Sequence, residues 1–415
     1  MRSPDAALRL LAHGYDFSDR LQAGLGPDDD PDAVPVRLMG RAALVVRGPD
    51  GVRLFTDTTA VRRRGAMPAP VAGILFGQGA VHGLDDEQHR HRKQLFVEAT
   101  RADRVADLVQ RVGEEWERQR SGWDHGPVTV YDDAVAVFGR AVLTWAGIDV
   151  PDTEAETEAR RLAQVVDGFA VPGPAYLRAV RARRRSDQWA EGVVAAGRRG
   201  DPQPPAGSAL ALVSTWTGEA GLPLPLRTAA VELQNLLRPT VAVSRFASFA
   251  ALALAQHASW RTALREEAGG AVPGPLALAF AQEVRRLAPF VPVLAGDLRR
   301  EVTFHGRRLP AGTRLVLDVL GTNTDERHWP RALAFDPHRF LGAQHVEPDA
   351  LVPQGGGEVA AGHRCPGEDI ALGLVATTSA TLASLDWYLP PQNLHVNRRR
   401  MPTQPASRLR LAVGS

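Results

Sequence analysis

Cysteine is nearly absent from this chain of 415 residues, which contains only Cys365. A single thiol excludes an internal disulfide framework and any zinc or iron–sulfur site that needs paired thiols. An excess of charge of one sign is also absent, because 49 lysines and arginines are balanced by 47 acidic residues. This balance gives no indication of a nucleic-acid partner.

Long apolar runs are missing as well. No stretch of about 18 apolar residues occurs, and the N-terminal residues lack the uninterrupted apolar segment of a secretory signal. We therefore expect a cytoplasmic protein without a membrane span.

The distribution of apolar residues predicts a mainly α-helical fold with small β-sheets. Residues 34–58 alternate around Gly40 and a turn at Pro49-Asp50-Gly51, which predicts short antiparallel strands. From Asp85 onward helical periodicity dominates. We predict helical segments near 131–147, 153–170, 174–198, 225–256, 258–268 and 275–287, and a last helix from about Pro366. Because no convincing linker divides the chain, we expect residues 1–415 to form one domain.

The only thiol lies between a glycine-rich loop and a predicted helix, in QGGGEVAAGHRCPGEDIALG. The N-terminus of a helix favours a thiolate, which could act as a nucleophile or as a metal ligand. A nucleophile would need a base such as His363, and a lone cysteine is most often a buried structural residue. The glycines at 355–357 instead indicate a backbone that closely approaches a flat or anionic group.

This segment resembles the cysteine-ligand loop of the cytochromes P450, a haem-thiolate family. Cys365, Gly367 and His363 match at their spacings, whereas Glu358 and Ala361 stand where the common pattern has Phe and Gly. The resemblance extends from about residue 35 to 412. It implies a cytochrome P450-like fold with haem b as cofactor, Cys365 as the axial iron ligand, and two basic neighbours, His363 and Arg364, at the haem.

Three further segments carry the same resemblance. Glu283 and Arg286 in EVRR, with Arg339 in FDPHRF, would form the buried Glu-Arg-Arg network that holds the ligand loop. EVRR alone could equally belong to a solvated helix. The segment DDEQHRHRKQLF resembles the helix at a propionate edge, which implies that His89 and Lys93 contact haem propionates, with surface charges as the alternative.

The predicted central helix lacks the acid–alcohol pair of oxygen-activating family members and carries Arg238 and Pro239 in that place. Proline inside a helix removes a backbone donor and costs about 3 kcal/mol or more. An arginine within this apolar run is unfavourable unless it is paired with an anion, and its planar guanidinium suits a carboxylate. The alternative is a salt bridge to a protein carboxylate such as Glu232.

The Arg238-Pro239 pair resembles the bacterial fatty-acid peroxygenases of this family, as do QGGG, VLGTNTDERHW and RMPTQP. The resemblance implies a long-chain fatty acid whose carboxylate binds Arg238 and performs acid–base work on hydrogen peroxide, with no obligatory redox partner. An anchored head group places Cα and Cβ nearest the oxidant. Oxidation then gives 2- or 3-hydroxy acids, terminal alkenes after decarboxylation, or both.

His82 in LFGQGAVHGLDD lies at the position that is Gln in typical hydroxylases of the subgroup and His in alkene-forming decarboxylases. Six residues earlier lies Phe76, which we assign to the substrate pocket. A histidine on an apolar loop is otherwise more often a structural group. Candidates for the apolar pocket wall are Phe290, Val293, Val171 and Pro172. Two alternative functions are a redox-partner-dependent haem monooxygenase and a non-catalytic haem-binding protein.

Overall fold

The computed structural model describes residues 5–123, 126–267, 272–342 and 346–414. These residues form a mainly helical fold with small β-sheets, as predicted. The helices are α1 Ala6–His13, α2 Asp16–Gln22, α3 Gly48–Thr56, α4 Ala69–Leu75, α5 Asp86–Ala99, α6 Ala102–Arg120, α7 Val130–Trp145, α8 Asp152–Gly168, α9 Pro174–Arg199, α10 Ala209–Thr215, α11 Leu226–Ala242, α12 Ser244–Gln256, α13 Ala258–Glu267, α14 Pro275–Leu287, α15 Val319–Asn323 and α16 Glu368–Ser384.

The strands build one larger sheet and two small ones. They are β1 Ala33–Leu38, β2 Arg41–Val46, β3 Val61–Arg62, β4 Val128–Thr129, β5 Val293–Leu298, β6 Val302–Phe304, β7 Arg307–Leu309, β8 Arg314–Asp318, β9 Trp387–Tyr388 and β10 Arg410–Val413. The five-stranded sheet has the order β1-β2-β8-β5-β3, with β2 and β8 parallel. The predicted hairpin around Gly40 is present, because β1 pairs with β2 from Ala33 opposite Val46 to Leu38 opposite Arg41.

Two segments differ from the sequence-based expectation. Pro49-Asp50-Gly51 is not a turn between strands, because Pro49 lies in the first turn of α3, where its fixed φ suits a helix and its missing N–H is not needed. The segment 225–256 is two helices, which separate at Val243. There the Val243 N–H donates to the Thr240 carbonyl, a tighter bond than the helical one. Pro239 itself lies inside α11.

The described residues form two main apolar cores. The larger one packs α6, α7, α11, α12, α14 and α16 around large buried side chains such as Trp116 and Phe138. The smaller one lies between the five-stranded sheet and α3, with Val52 and Leu317 among its members. Within the described ranges, no helix combines the length and apolar character needed to cross a membrane.

Candidate active site

A cavity of about 510 Å³ separates α11 from the loop that carries the only thiol. One wall comes from Cys365 and the start of α16, including Ile370. The opposite wall comes from α11, including Asn235 and Pro239. The cavity also extends to residues 76–84, which contain a short 3-10 turn at Val81–Gly83. The thiol and the central helix therefore face a common space.

Gln354 and two charged groups fix the loop around the thiol. The Cys365 N–H donates to the Gln354 carbonyl at 3.2 Å, and the Gln354 amide nitrogen lies 3.8 Å from Sγ. Arg285 donates to Gln354 Oε1 at 2.6 Å and to Glu368 Oε1 at 2.7 Å. Sequence reasoning missed Gln354 and Arg285, although the first belongs to the QGGG motif and the second to EVRR.

Two of the three glycines of this loop are needed for its packing against a neighbouring helix. A Cβ on Gly356 would lie 2.5 Å from Val52 Cγ1, and one on Gly357 would lie 2.8 Å from Thr56 Cβ. Gly357 also has a φ of 76°, a conformation that side chains disfavour. Gly356 and Gly357 therefore let the loop pack against α3, while the expectation that the glycines approach a flat or anionic group stays a prediction.

The local environment of the Cys365 thiol does not favour the thiolate in the way that its position at a helix N-terminus predicts. Burial raises the pKa of Cys365, and this outweighs the opposing effects of the Gly367 backbone N–H and the Lys93 charge. The helix N-terminus alone therefore does not produce a thiolate. A coordinated metal cation would do so, since it deprotonates a thiol ligand outright.

Basic groups gather at one edge of the cavity. His89 and His363 stack with their ring centroids 3.8 Å apart, and Lys93 and Arg63 line the same space. Burial, followed by the charges of His363 and Lys93, lowers the pKa of His89 to about 3. Burial lowers the pKa of Lys93 to about 8. An anionic ligand at this edge would offset the cost of burying these basic groups.

Arg364 contributes to this edge through its backbone. Its carbonyl accepts a hydrogen bond from Lys93 Nζ at 2.5 Å, whereas its side-chain Nε donates to Glu368 Oε2 at 2.8 Å. The guanidinium is thus already paired with a carboxylate, and Arg364 is absent from the described lining of the cavity. The structure does not bring this predicted side chain to the same place as His89 and His363.

On the opposite wall, Arg238 is buried with only 2% of its surface exposed. Its Nη2 donates to Asn235 Oδ1 at 2.7 Å, while its buried Nη1 has no hydrogen-bond partner among the described residues. The guanidinium is not itself part of the cavity lining, but Asn235 and Pro239, which lie on either side of it in the chain, are. Burial, followed by the Arg183 charge, lowers the pKa of Arg238. The environment therefore disfavours the lone cation.

The expected alternative, an ion pair between Arg238 and Glu232, is not formed. Glu232 Oε1 accepts from Arg92 Nη1 at 2.9 Å and from the Val81 N–H at 2.8 Å, and its Oε2 accepts from Asn235 Nδ2 at 2.9 Å. The fully buried carboxylate is thus committed to three other donors. Asn235 was missed by sequence reasoning, although its spacing of three residues from Arg238 places both on one helix face.

His82 and Phe76 lie together beside this wall. Their rings stack with centroids 3.9 Å apart and an interplanar angle of 11°, and both residues line the cavity. Burial, followed by the Arg238 charge, lowers the pKa of His82 well below its ordinary value. The His82 ring is therefore a neutral hydrogen-bonding group at physiological pH.

Glu283, Arg286 and Arg339 come together in one cluster. Arg286 donates two bonds of 2.7 Å to the two oxygens of Glu283, and its Nη1 donates to the carbonyls of Asn323 and Ala332. Arg339 Nε lies 3.6 Å from Glu283 Oε1. The arrangement ties α14 to the segment that precedes the loop.

The four residues predicted for the apolar pocket wall lie elsewhere. Phe290 packs its ring on Phe246 with centroids 5.0 Å apart, and its carbonyl accepts a hydrogen bond from the Tyr15 hydroxyl. Val171 follows the end of α8, where its N–H donates to the Gly168 carbonyl. Neither residue belongs to the described cavity lining, and the same holds for Val293 and Pro172. The apolar lining comes instead from residues such as Met67, Ala72, Phe96, Leu236, Val243 and Leu294.

Comparison with known proteins identifies the class of this site. Residues 249–396 match the family model for cytochrome P450. A structure of cytochrome P450SP alpha (CYP152B1) in complex with (R)-ibuprofen is 35% identical, with a TM-score of 0.91 over 99% of this chain and 98% of that one. The chain belongs to the cytochrome P450 family. Haem is the cofactor of these proteins, and Cys365, the only cysteine, is its axial ligand.

Other relatives place the chain within that family. A variant of cytochrome P450 OleT in complex with arachidonic acid is 29% identical, with a TM-score of 0.92 over 99% of this chain and 96% of that one. Cytochrome P450 137 of Mycobacterium tuberculosis is 25% identical over 88% of this chain and 78% of its own length. Cytochrome P450 93G1 of Oryza sativa subsp. japonica is 33% identical, but the match spans only 23% of its length. The structural relatives confirm the bacterial subgroup that the Arg-Pro pair indicated.

The residues present fit a haem group. The cavity has a thiol on one wall, apolar side chains around it and a basic edge formed by Arg63, His89, Lys93 and His363. A flat apolar macrocycle with two carboxylates matches this distribution of polarity.

Proposed function

We propose that the protein oxidises long-chain fatty acids with hydrogen peroxide, at Cα or Cβ, giving 2- or 3-hydroxy acids, terminal alkenes, or both. The observation that carries this proposal is the buried Arg238 Nη1 without a hydrogen-bond partner within the described part of the chain. A buried cation without a counterion is costly, and a carboxylate supplies both the charge and the acceptors that it lacks.

The ligands of two relatives support a carboxylate. P450SP alpha binds (R)-ibuprofen and OleT binds arachidonic acid in the structures compared above. These ligands differ in shape but share one carboxyl group on an apolar body. That combination fits the apolar cavity and the guanidinium behind its wall.

The thiolate-bound haem, when present, supplies the oxidising chemistry on peroxide. This chain binds and orients the substrate. Arg238 holds the carboxylate, which then accepts and returns the peroxide proton, as an acid–base group must. The Thr240 hydroxyl donates to the Leu236 carbonyl at 3.3 Å, so its proton is engaged by the helix backbone. This observation favours the substrate carboxylate over a protein acid–alcohol pair.

We also propose that His89, Lys93 and His363 bind the haem propionates, and that Arg364 supports this edge through its carbonyl. Phe76 and His82 border the substrate carbons, with neutral His82 influencing the partition between oxygen transfer and loss of carbon dioxide. Pro239 shapes the same wall, because its missing N–H leaves the Asn235 carbonyl without a helical donor. Glu283, Arg286 and Arg339 hold the loop of Cys365.

The decisive test uses the purified haem-bearing protein with myristic acid and hydrogen peroxide, without reductase or NAD(P)H. We expect hydroxymyristic acids, tridecene or both, resolved by gas chromatography with mass detection. Arg238→Leu should lower turnover by ~100-fold or more, the loss of a charge-assisted anchor. Arg227→Leu, at an exposed position on the same helix, is the matched control and should leave turnover unchanged.

Two outcomes would contradict the proposal. Turnover that requires NAD(P)H and electron-transfer partners would identify a monooxygenase. No oxidation of fatty acids under either condition, with an intact thiolate-haem spectrum, would favour a binding protein.

A further inference from the structure

The protein partner of Arg238 is an amide and not a carboxylate. Asn235 Oδ1 accepts a 2.7 Å bond from Arg238 Nη2, three residues further along α11. A neutral acceptor fixes the position of a guanidinium without cancelling its charge. An aspartate at the same place would instead close an internal ion pair.

A buried carboxylate determines which way the Asn235 amide points. Glu232 can only accept hydrogen bonds when ionised, so the Asn235 NH₂ must face it and the Asn235 oxygen must face Arg238. Arg92 balances the charge of Glu232 at 2.9 Å. Glu232 also accepts from the Val81 N–H, so the same group ties the turn of His82 to α11.

The charged side chains around Arg238 do not balance, and one positive charge remains without a counterion. Glu232 pairs with Arg92, and Asp187 lies 2.8 Å from Arg183 Nε while it also accepts from Gln234 Nε2 at 2.8 Å. The cluster of Arg92, Arg183, Arg238, Asp187 and Glu232 therefore holds three guanidinium groups and two carboxylates. One further carboxylate would neutralise it.

We propose that Asn235 is a positioning residue that holds Arg238 while leaving its charge free, and that it thereby sets the preference of the site for an anionic substrate. Glu232 supports this role by fixing the orientation of the Asn235 amide. The inference rests on the proposed function, because it identifies what keeps the carboxylate anchor available. The absence of an acid at position 235 is thus itself a specificity determinant.

The test compares Asn235→Asp with the wild-type haem-bearing protein. Binding of myristate and of tetradecanol, which has the same chain length without the charge, is measured by equilibrium dialysis. The new carboxylate competes intramolecularly for Arg238, so we expect the Kd for myristate to rise by ~100-fold and that for tetradecanol to stay unchanged. Gln256→Glu, the same amide-to-carboxylate change at the exposed end of α12, should alter neither.

Asn235→Leu separates charge from packing. It removes the acceptor but adds no negative charge, so we expect a loss of myristate affinity of at most ~10-fold. If Asn235→Asp does not fold with haem, Asn235→Leu provides the test instead. A ~100-fold loss of myristate affinity in Asn235→Leu would overturn the proposal. An equal loss of affinity for myristate and for tetradecanol in Asn235→Asp would also overturn the proposal, as would an unchanged affinity for myristate.

The wild-type protein distinguishes failure of the proposed function from failure of the role of Asn235. A wild-type protein that neither binds nor oxidises myristate refutes the fatty-acid proposal before any variant is compared. A wild-type protein that does both, combined with an Asn235→Asp variant of equal affinity, refutes only the role of Asn235.

Discussion

Two buried arginines, Arg286 and Arg238, illustrate how differently this chain treats a guanidinium in its interior. All three nitrogens of Arg286 donate hydrogen bonds, two of them to the carboxylate of Glu283. Arg238 has a single bond to the neutral Asn235 and a nitrogen without a partner among the described residues. Burial is nearly the same, at 0% and 2% exposed.

The difference lies in what each group is paired with. A fully paired buried ion contributes to a defined structure, and removing one partner leaves the other unsatisfied. An incompletely paired buried ion is an unfavourable feature, and a ligand of opposite charge offsets its cost. The arginine with the poorer protein environment is therefore the better candidate for substrate binding.

The largest expected effect follows from Arg286→Leu. This change removes the cation that pairs with the buried Glu283 carboxylate and takes two hydrogen bonds from the carbonyls of Asn323 and Ala332, which should cost about 3–5 kcal/mol of folding stability. We expect little soluble haem-bearing protein and a markedly lower melting temperature. Arg227→Leu is the surface control. A wild-type melting temperature in Arg286→Leu would show that the paired Arg286 does not stabilise the fold.

Arg238→Leu should have the opposite pattern of effects, with a small change in folding stability and a large loss of turnover. It removes a cation without a counterion but also leaves Asn235 Oδ1 without its donor, so these effects offset each other to within about 1 kcal/mol. Thermal unfolding of the substrate-free protein should change little, although fatty-acid turnover is lost. A destabilisation as large as that of Arg286→Leu would assign Arg238 a structural role.

A smaller effect is expected at His82. Replacing it with Gln keeps a neutral hydrogen-bonding group but removes the ring that stacks on Phe76. We expect the alkene-to-hydroxy-acid ratio to fall by roughly fivefold, equivalent to about 1 kcal/mol between two barriers. His395→Gln, at an exposed position, is the control. An unchanged ratio in His82→Gln would remove this residue from product selection.

The smallest expected effect is that of pH on the product ratio, which should not change near neutrality. Because the pKa of His82 is lowered well below 6.5, the ring stays neutral in the folded protein while the unfolded chain begins to protonate near that value. The product ratio should therefore be constant between about pH 6.5 and 8. This group stabilises the fold above pH 6.5, and its contribution is lost as the pH falls toward the depressed value. A product ratio that titrates near neutrality would contradict a neutral His82.

Local sequence signals predicted much of the fold but misassigned particular segments. The spacing of apolar residues predicted the long helices, whereas Pro49-Asp50-Gly51 satisfies both a turn and a helix start. The continuous apolar pattern across 225–256 hides the break between α11 and α12 at Val243, because both helices bury similar side chains. Periodicity reports which face is buried and not where one helix ends and the next begins.

The candidate site shows the same limit. Residues joined by short motifs, such as Glu283 with Arg286, could be selected from spacing alone. The bond from Val81 to Glu232 joins residues 151 positions apart, so no local pattern contains it. Phe290 was chosen because it is apolar and follows α14, yet the choice of partner, Phe246, depends on how α12 packs. Apolar character predicts burial but not which cavity or core receives the side chain.

The leftover positive charge near Arg238 has a consequence for the lifetime of the protein. A ligand that binds only the folded chain raises the free energy of unfolding by RT ln(1 + [L]/Kd), or about 2.7 kcal/mol at a hundredfold excess over Kd. Under the proposed function, that ligand is a fatty acid. Resistance to heat and to proteolysis then rises with fatty-acid supply, so the amount of enzyme that persists becomes coupled to the abundance of what it consumes.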